Sequence, residues 1–186
     1  MKKKIGLSNR KMQIIITLFI LVVLAPSLVF AAVQYVTVLP APAIITGQIT
    51  YSNNNTGIFN VSVNLTNATT MNVVNSTTTN GTGYYNFTNV IAGDYYVNAT
   101  KTRYWDNSTE VNATATEIAN LSLWLVGDLN NKGKSADAGD LVLMNRAVLW
   151  EISGDWRWDL NHNGRIADAG DLVLMNRAVL HEIILT

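Results

Sequence analysis

The 186-residue sequence predicts a mixed, two-domain fold, in which an all-β sandwich is followed by an all-α pair of loop–helix repeats. Two observations predict this fold. Residues 44–126 alternate apolar and polar side chains with a period of two, in short runs separated by turns rich in Asn and Gly. Residues 127–186 contain a segment that occurs twice, and each copy ends in a run with helical spacing.

The charges are unevenly distributed, although the chain has 13 Lys+Arg, 13 Asp+Glu and no cysteine. Five positive residues lie within the first eleven positions, and the remainder of the chain is acidic. That remainder has no basic patch of the kind that binds nucleic acid, so we expect no nucleic-acid partner. Without cysteine the fold cannot use disulfides, and it must depend on a core, glycans or metal.

Residues 1–32 have the layout of an export signal: a basic start, an apolar run over residues 14–25, and small residues at positions 31 and 32. The alternative is an uncleaved membrane anchor, because residues 12–32 are about as long as a membrane-spanning helix of roughly 20 residues. In either case we expect the protein to be secreted or held at the cell surface. Residues 33–43, with two prolines, are expected to form a spacer.

The alternation in residues 44–126 predicts about seven short strands, as in an all-β sandwich. The turns between them are expected at residues 53–57, 80–83 and 92–94. The predicted inward-facing residues are Phe59, Val61, Val63, Leu65, Tyr85, Phe87, Tyr95, Val97, Ala99, Val111, Ala113, Ala115, Leu121, Leu123 and Leu125.

The same segment is dense in Asn-x-Ser/Thr motifs, the acceptor pattern for N-glycosylation. Six of the eleven fall on the polar side of a predicted strand, where a sugar would not disturb the core. The alternative is a bias towards Asn and Thr with no sugar attached. The predicted acceptors are Asn54, Asn60, Asn64, Asn67, Asn75, Asn80, Asn86, Asn98, Asn107, Asn112 and Asn120.

The run from Gly83 to Val97 has the pattern Gly-x-Tyr-x-Phe, an apolar turn, and then Gly-x-Tyr-x-Val. Together with the strand-like residues 45–49, it resembles the carboxypeptidase regulatory-like (prealbumin-like) domains. The resemblance covers roughly residues 44–126. It implies a small, non-catalytic sandwich that spaces or attaches other modules.

The internal repeat joins residues 128–152 with residues 159–183, and 20 of the 25 aligned residues are identical. In the second copy Asp159, Asn161 and Asn163 stand at loop positions 1, 3 and 5, and Gly164 stands at position 6. This spacing directs alternate side chains at one centre, while glycine permits a sharp turn. Oxygen ligands without His or Cys favour calcium over zinc. The repeat therefore predicts two calcium loops.

The candidate calcium ligands include Lys134 and Arg165 because they occupy position 7, which such loops use through the backbone. The sequence leaves open whether the carboxylate at position 10 or the one at position 13 closes each shell. The alternative is that one or both loops are metal-free turns. The ligand set is Asp128, Asn130, Lys134, Asp137 and Asp140 in the first loop, and Asp159, Asn161, Asn163, Arg165, Asp168 and Asp171 in the second.

Three further expectations concern the loops. Lys132 occupies position 5 of the first loop, and an ammonium group cannot bind calcium, so this side chain must turn outward and leave a weaker first site. Asp171 is expected to cap a helix over residues 172–180. Ile166, at position 8, is expected to pair the second loop with the first.

The duplicated loops and the repeated Asp-Leu-Val-Leu-Met-Asn-Arg segments resemble the dockerin type I module, over residues 127–186. That resemblance implies two bound calcium ions and a cohesin partner. The usual loop places its closing carboxylate at position 12, whereas Asp140 and Asp171 stand at position 13, which is a departure from the dockerin pattern. Matched by motif, the partner-facing residues are Asp137, Ala138, Asn145, Arg146 and Trp150, then Asp168, Ala169, Asn176, Arg177 and His181. The alternative is that the Asn-Arg pairs are ordinary solvated helix positions.

Trp150, Trp156 and Trp158 surround the connector between the repeats. Packing of the connector against the helices is the favoured interpretation, with sugar stacking as the alternative. His162 and His181 have no companion ligands and receive no metal or acid–base role.

No catalytic arrangement is recognisable, because neither a Ser-His-Asp set nor a Gly-x-Ser-x-Gly context occurs, and we expect no enzyme. The favoured function is an exported, calcium-dependent docking protein that joins a cohesin-bearing assembly. A polysaccharide-degrading context follows from the family resemblance alone. The alternative is a structural cell-surface glycoprotein whose calcium repeats only stabilise the fold. A membrane is a partner only if the N-terminal segment is not cleaved.

Overall fold

The computed structural model describes residues 41–186, in which two β-sheets are followed by two short helices. The predicted export signal (1–32) and most of the predicted spacer lie outside the described residues. Within residues 41–186, no helix has the length and apolar character needed to cross a membrane. Strands and helices together make one compact unit over Ala41–Thr186.

Nine strands occur in the described part of the chain. One sheet has the order β4-β1-β9-β6, with β8 also paired to β1, and the other has the order β3-β2-β5-β7. All pairings are antiparallel except those of β1 with β8 and β9. The strands are β1 (Ala43–Tyr51), β2 (Ser62–Asn67), β3 (Val73–Thr78), β4 (Tyr84–Val90), β5 (Gly93–Thr100), β6 (Tyr104–Trp105), β7 (Asn107–Ala113), β8 (Thr116–Ile118) and β9 (Leu121–Leu125).

The predicted alternation forms the core between the two sheets, so the β-sandwich is confirmed. Phe59 was predicted to be buried, and that is wrong. The strand begins only at Ser62, so Phe59 lies exposed in the preceding turn beside Asn60, whose φ is 56°. Ala115 is also exposed, because β7 ends at Ala113. The edge strand β3 lacks alternation and was not predicted, since nearly all of its residues face solvent.

Gly47 in β1 lies against the backbone of the 113–121 segment. A Cβ atom at this position would stand 2.0 Å from the carbonyl oxygen of Ala119. The Tyr85 hydroxyl donates a hydrogen bond of 2.6 Å to that same oxygen. Only a residue without a side chain allows this approach of β1.

Two helices, α1 (Ala138–Val148) and α2 (Ala169–Val179), pack together with Met144 and Met175 fully buried. The predicted start of the second helix is wrong: it begins three residues earlier than expected and is capped by Asp168 rather than Asp171. The reason is that the Asp168 carboxylate accepts hydrogen bonds from the backbone amides of Gly170 and Asp171.

Both loops make specific contacts with the sandwich. In the first loop, Asn131 accepts a hydrogen bond of 2.8 Å from the Ser52 hydroxyl. In the second loop, His162 lies edge-to-face on Trp105, with 5.2 Å between ring centroids. Asn131 and His162 occupy the same position in the two repeats and both have positive φ. This position is one of the five at which the repeats differ.

Candidate metal centres and partner surface

In the second loop, backbone amides turn the oxygen atoms of positions 1, 3 and 5 inward. Asp159 accepts from the amides of Asn163 and Gly164 at 3.0 and 2.8 Å. Asn161 Oδ1 accepts from the Asn163 amide at 3.0 Å, and Asn163 Oδ1 accepts from the Arg165 amide at 2.8 Å. These are short-range turns that the spacing of the residues makes available.

The same loop draws in the carboxylates of positions 10 and 13. Asn161 donates its backbone amide to Asp171 Oδ1 at 3.0 Å and its side-chain amide to Asp168 Oδ1 at 3.1 Å. Asn163 Nδ2 donates to Asp168 Oδ2 at 2.8 Å. The five candidate ligands that bear oxygen on their side chains are therefore brought together.

The first loop repeats this arrangement with one difference. Asp128 accepts from the amides of Lys132 and Gly133 at 2.9 and 2.7 Å, and Asn130 contacts both Asp137 and Asp140. At position 5 the Lys132 side chain is exposed, and only its backbone amide takes part in the turn. The first loop therefore has one side-chain oxygen fewer than the second.

The carboxylates at positions 10 and 13 have different roles. Asp137 and Asp168 are the N-caps of α1 and α2, and each forms a capping box with the aspartate three residues later. Asp140 and Asp171 are both 0% exposed. In each, Oδ1 accepts a hydrogen bond from the backbone amide of the loop asparagine at position 3. Oδ2 accepts one from the backbone amide of the cap residue.

Burial raises the pKa of Asp140 to about 6 and also raises the pKa of Asp171. A hydrogen bond from the Asp140 backbone amide lowers the pKa of Asp137, and the Asn163 side-chain amide does the same for Asp168. Across residues 41–186, no Lys, Arg or His forms an ion pair with any of the six loop aspartates. A buried carboxylate without a cation is costly.

The oxygen-rich donor set fits a hard cation such as calcium better than a soft one. The described residues contain no group of three or more His, Cys, Asp or Glu side chains positioned for a metal ion. Each loop instead combines carboxylates with Asn oxygen atoms. The feature that fits a cation is the fully buried carboxylate in each loop, Asp140 or Asp171. The hydrogen bonds it accepts come from backbone amides and not from a basic side chain of the described residues.

Two of the other loop residues differ from expectation. Ile166 is about half exposed, and no strand pairing joins the two loops in the described residues, so the expected pairing through it is wrong. The equivalent Ser135 donates a hydrogen bond of 2.6 Å to the Val126 carbonyl instead. The side chains of Lys134 and Arg165 are exposed, as a backbone ligand permits.

The predicted partner-binding residues lie on the exposed sides of the helices. Arg146 pairs with Glu151 at 3.2 Å, and Arg177 pairs with Glu182 at 3.3 Å. Asn145 and Asn176 each donate to the carbonyl four residues earlier. Trp150 and His181 follow the two helices, and both have positive φ.

Sequence reasoning missed the apolar part of this surface. Val142 and Val173 are 57% and 55% exposed, and Leu149 and Leu180 are 67% and 68% exposed. Their spacing from the Asn-Arg pair is the i, i+3, i+4, i+7 spacing of one helix face, a signal that was present in the sequence. We define the two helix surfaces as surface 1 (Val142, Asn145, Arg146, Leu149, Trp150) and surface 2 (Val173, Asn176, Arg177, Leu180, His181).

The three connector tryptophans have different environments. Trp150 is 94% exposed, so its predicted packing against the helices is wrong, because the positive φ of Trp150 turns it away from them. Trp158 is buried among the helices, as predicted. Trp156 lies edge-to-face against Trp105 of the sandwich, at 5.2 Å between centroids.

All eleven candidate glycosylation sites lie within the described residues, and none is buried. Asn64, Asn67 and Asn98 are half-buried, and the others are exposed. All three half-buried positions belong to β2 and β5, the central strands of their sheet. The surface therefore leaves room for sugars at most of these positions.

These features define a class of protein: a β-sandwich with a duplicated, acidic loop–helix unit packed against it. Residues 44–123 match the family model for the second β-sandwich domain of BOS complex subunit NOMO1-like proteins. The match covers less than half of the chain and supports the sandwich alone. No curated protein matches the chain.

Solved structures similar to this chain include three bacterial proteins. The pilus 2b backbone protein of group B streptococcus is 19% identical over 45% of this chain and 41% of that chain, with a TM-score of 0.39. BcpA, the major pilin subunit of Bacillus cereus, is 15% identical over 46% and 31%, with a TM-score of 0.39. A putative carbohydrate binding protein from Bacteroides uniformis is 14% identical over 46% and 43%, also with a TM-score of 0.39. The chain thus spans less than half the length of each.

Proposed function

We propose that this protein is an exported, non-catalytic, calcium-binding docking protein. Its dockerin-like module binds a cohesin-type protein partner in an extracellular or cell-surface assembly, in a setting of polysaccharide degradation. The sandwich, of the carboxypeptidase regulatory-like type, spaces that module from the rest of the assembly. The observation that carries the proposal is the pair of fully buried carboxylates, Asp140 and Asp171, which no basic side chain of the described residues pairs with.

Calcium is supported by the charge balance of the loops. Asp140 and Asp171 are fully buried, and no basic side chain of the described residues pairs with any loop aspartate. A divalent cation would supply the missing compensation. We expect the second loop to bind more tightly, because Asn163 offers an oxygen atom where the first loop has Lys132.

Docking is supported by the equal presentation of surfaces 1 and 2. Their Val and Leu residues have nearly the same exposure in both copies, and the sandwich contacts the loops rather than these faces. Each surface combines exposed aliphatic side chains with an arginine, a composition found at protein interfaces. Two equivalent surfaces would let one partner bind in either of two orientations related by a half-turn.

Export and glycosylation are supported by the basic, apolar N-terminal sequence and by the surface position of the acceptor asparagines. Sugars on these exposed positions would add bulk and solubility without entering the core.

Binding to a cohesin domain encoded in the same genome tests docking, with the double variants N145A/R146A and N176A/R177A and the quadruple variant. Each double variant should retain binding through the other surface, and the quadruple variant should lose it. A control variant, Lys134→Ala, leaves both surfaces intact and keeps the backbone carbonyl that is the candidate calcium ligand. Equal binding by all variants would contradict the docking role of these surfaces.

The structural alternative draws on a separate observation. The loops and the connector between them are joined to the sandwich by the Ser52–Asn131 hydrogen bond, the Trp105 contacts and the Arg157 guanidinium over Trp124, at 3.7 Å from the ring centroid. Calcium would then mainly stabilise the whole unit of a cell-surface glycoprotein. This alternative predicts that EDTA lowers the melting temperature of the sandwich while no cohesin domain binds.

A further inference from the structure

A cleft of about 860 Å³ lies where the sandwich meets the second loop. Its walls include the aromatic residues Tyr104, Trp105 and His162. They also include Lys101 and Arg103, the only two basic residues between positions 44 and 126. Nothing in the proposed docking function uses this cleft. Its volume is within the roughly 300–1,000 Å³ range of ligand sites.

Asn60, one of the acceptor asparagines, is itself part of the cleft wall. Its backbone is held in place: the amide donates to the Thr79 carbonyl at 3.1 Å, and its carbonyl accepts from Lys101 Nζ at 3.1 Å. Its side chain is exposed and makes no hydrogen bond to any described residue. No other acceptor asparagine lines this cleft.

We propose that the cleft is the seat of the first sugars of an N-linked glycan on Asn60. This inference rests on the glycosylation included in the proposed function. A sugar ring has a face of C–H groups and a rim of hydroxyl groups. Trp105 offers apolar ring surface to the C–H groups. Lys101, Arg103 and Asp106 offer charged hydrogen-bonding groups to the hydroxyls.

Because the glycan is covalently attached to Asn60, weak contacts are sufficient to hold its first sugars in the cleft. A glycan attached to Asn60 is confined beside the cleft, so its effective concentration there is high, and it requires no independent affinity. Trp105 also contacts Trp156 and His162 across the junction. Sugars that cover Trp105 on the cleft side would therefore hold the sandwich and the second loop together.

The test uses the full chain from a glycosylating host, with the variants Ser62→Ala and Ser62→Thr. The first removes the acceptor motif of Asn60 and the second preserves it, while Asn60 is unchanged in both. Thr88→Ala, which removes the motif of Asn86 on β4 of the other sheet, is the control for losing a glycan elsewhere. Glycopeptide mass spectrometry identifies occupied sites, and amide hydrogen exchange reports on residues 101–106 and 160–164.

The expected result is an occupied Asn60, with exchange in both segments about fivefold faster in S62A than in S62T, a factor that corresponds to roughly 1 kcal/mol. T88A should match the wild type in these segments. If Asn60 is occupied but amide exchange is equal in S62A and S62T, the proposed seating of the glycan in the cleft is wrong, while the proposed glycosylation of the protein stands. Occupied sites elsewhere with Asn60 empty would also overturn it. No occupied site at all would overturn the glycosylation of the proposed function as well.

Discussion

Asp137 and Asp140 hydrogen-bond to each other's backbone: Asp137 Oδ1 accepts from the Asp140 amide at 3.1 Å, and Asp140 Oδ2 accepts from the Asp137 amide at 2.9 Å. The pair thereby joins the first loop to the first turn of α1. Asp168 and Asp171 do the same at α2. The half-buried member of each pair caps a helix, and the fully buried member accepts an amide of the loop.

The cap and the closing ligand can be separated by substituting each aspartate. In EDTA, Asp137→Ala should lower the free energy of unfolding by about 1 kcal/mol, because the cap is lost, whereas Asp137→Asn should leave it nearly unchanged. Asp140→Asn should weaken calcium binding at the first loop by about tenfold, or roughly 1.4 kcal/mol. Chemical denaturation and calorimetric calcium titration measure the two effects. A larger loss of calcium affinity in D137N than in D140N would assign closure to Asp137.

The difference between the two loops can be tested by exchanging their residues at position 5. Lys132→Asn gives the first loop the side-chain oxygen of the second and removes a positive charge, so calcium should bind it more tightly. Asn163→Lys should weaken the second loop. Titration of each variant should give two similar sites in K132N and two weak sites in N163K. If the calcium affinity of the first loop were unchanged in K132N, Lys132 would not be the cause of its weakness.

The close approach at Gly47 predicts a steric limit in the sandwich. Gly47→Ala should destabilise the fold by about 3 kcal/mol, because a Cβ would stand 2.0 Å from the Ala119 carbonyl oxygen. Gly81→Ala is the matched control, since no atom lies within 4 Å of the Cβ it would add. Thermal unfolding measures both. A stable G47A variant would show that β1 shifts away from residues 113–121 at little cost.

The contact between the first loop and the sandwich predicts coupling between them. Asn131→Ala removes the Ser52 hydrogen bond without removing a proposed calcium ligand, and should cost about 1 kcal/mol. Amide exchange at residues 52 and 53 should become faster in N131A and respond less to calcium. Lys134→Ala changes an exposed side chain in the same loop and keeps the backbone carbonyl that is the candidate ligand, so it should leave that exchange unaltered. Equal calcium responses in N131A and the wild type would exclude this route of coupling.

Much of the local structure could be predicted from the sequence because local spacing determines it. Alternation placed Val63, Leu65 and Val97 in the core, and the spacing of Asp159, Asn161 and Asn163 leads directly to the turns that direct their oxygen atoms inward. Local signals failed where two carboxylates competed. Asp168 and Asp171 both resemble caps, and only the structure identifies Asp168 as the N-cap.

The sequence alone determined the duplication, the oxygen-rich loops and the alternation of the sandwich, since each depends on residues a few positions apart. The tertiary structure alone decided which repeat differences matter: Asn131 meets Ser52, while its counterpart His162 meets Trp105, and the two contacts differ in chemistry. It also decided that Asn60 stands at a cleft with Trp105. These pairs are separated by 45 residues or more, so one sequence cannot show which of its distant residues meet.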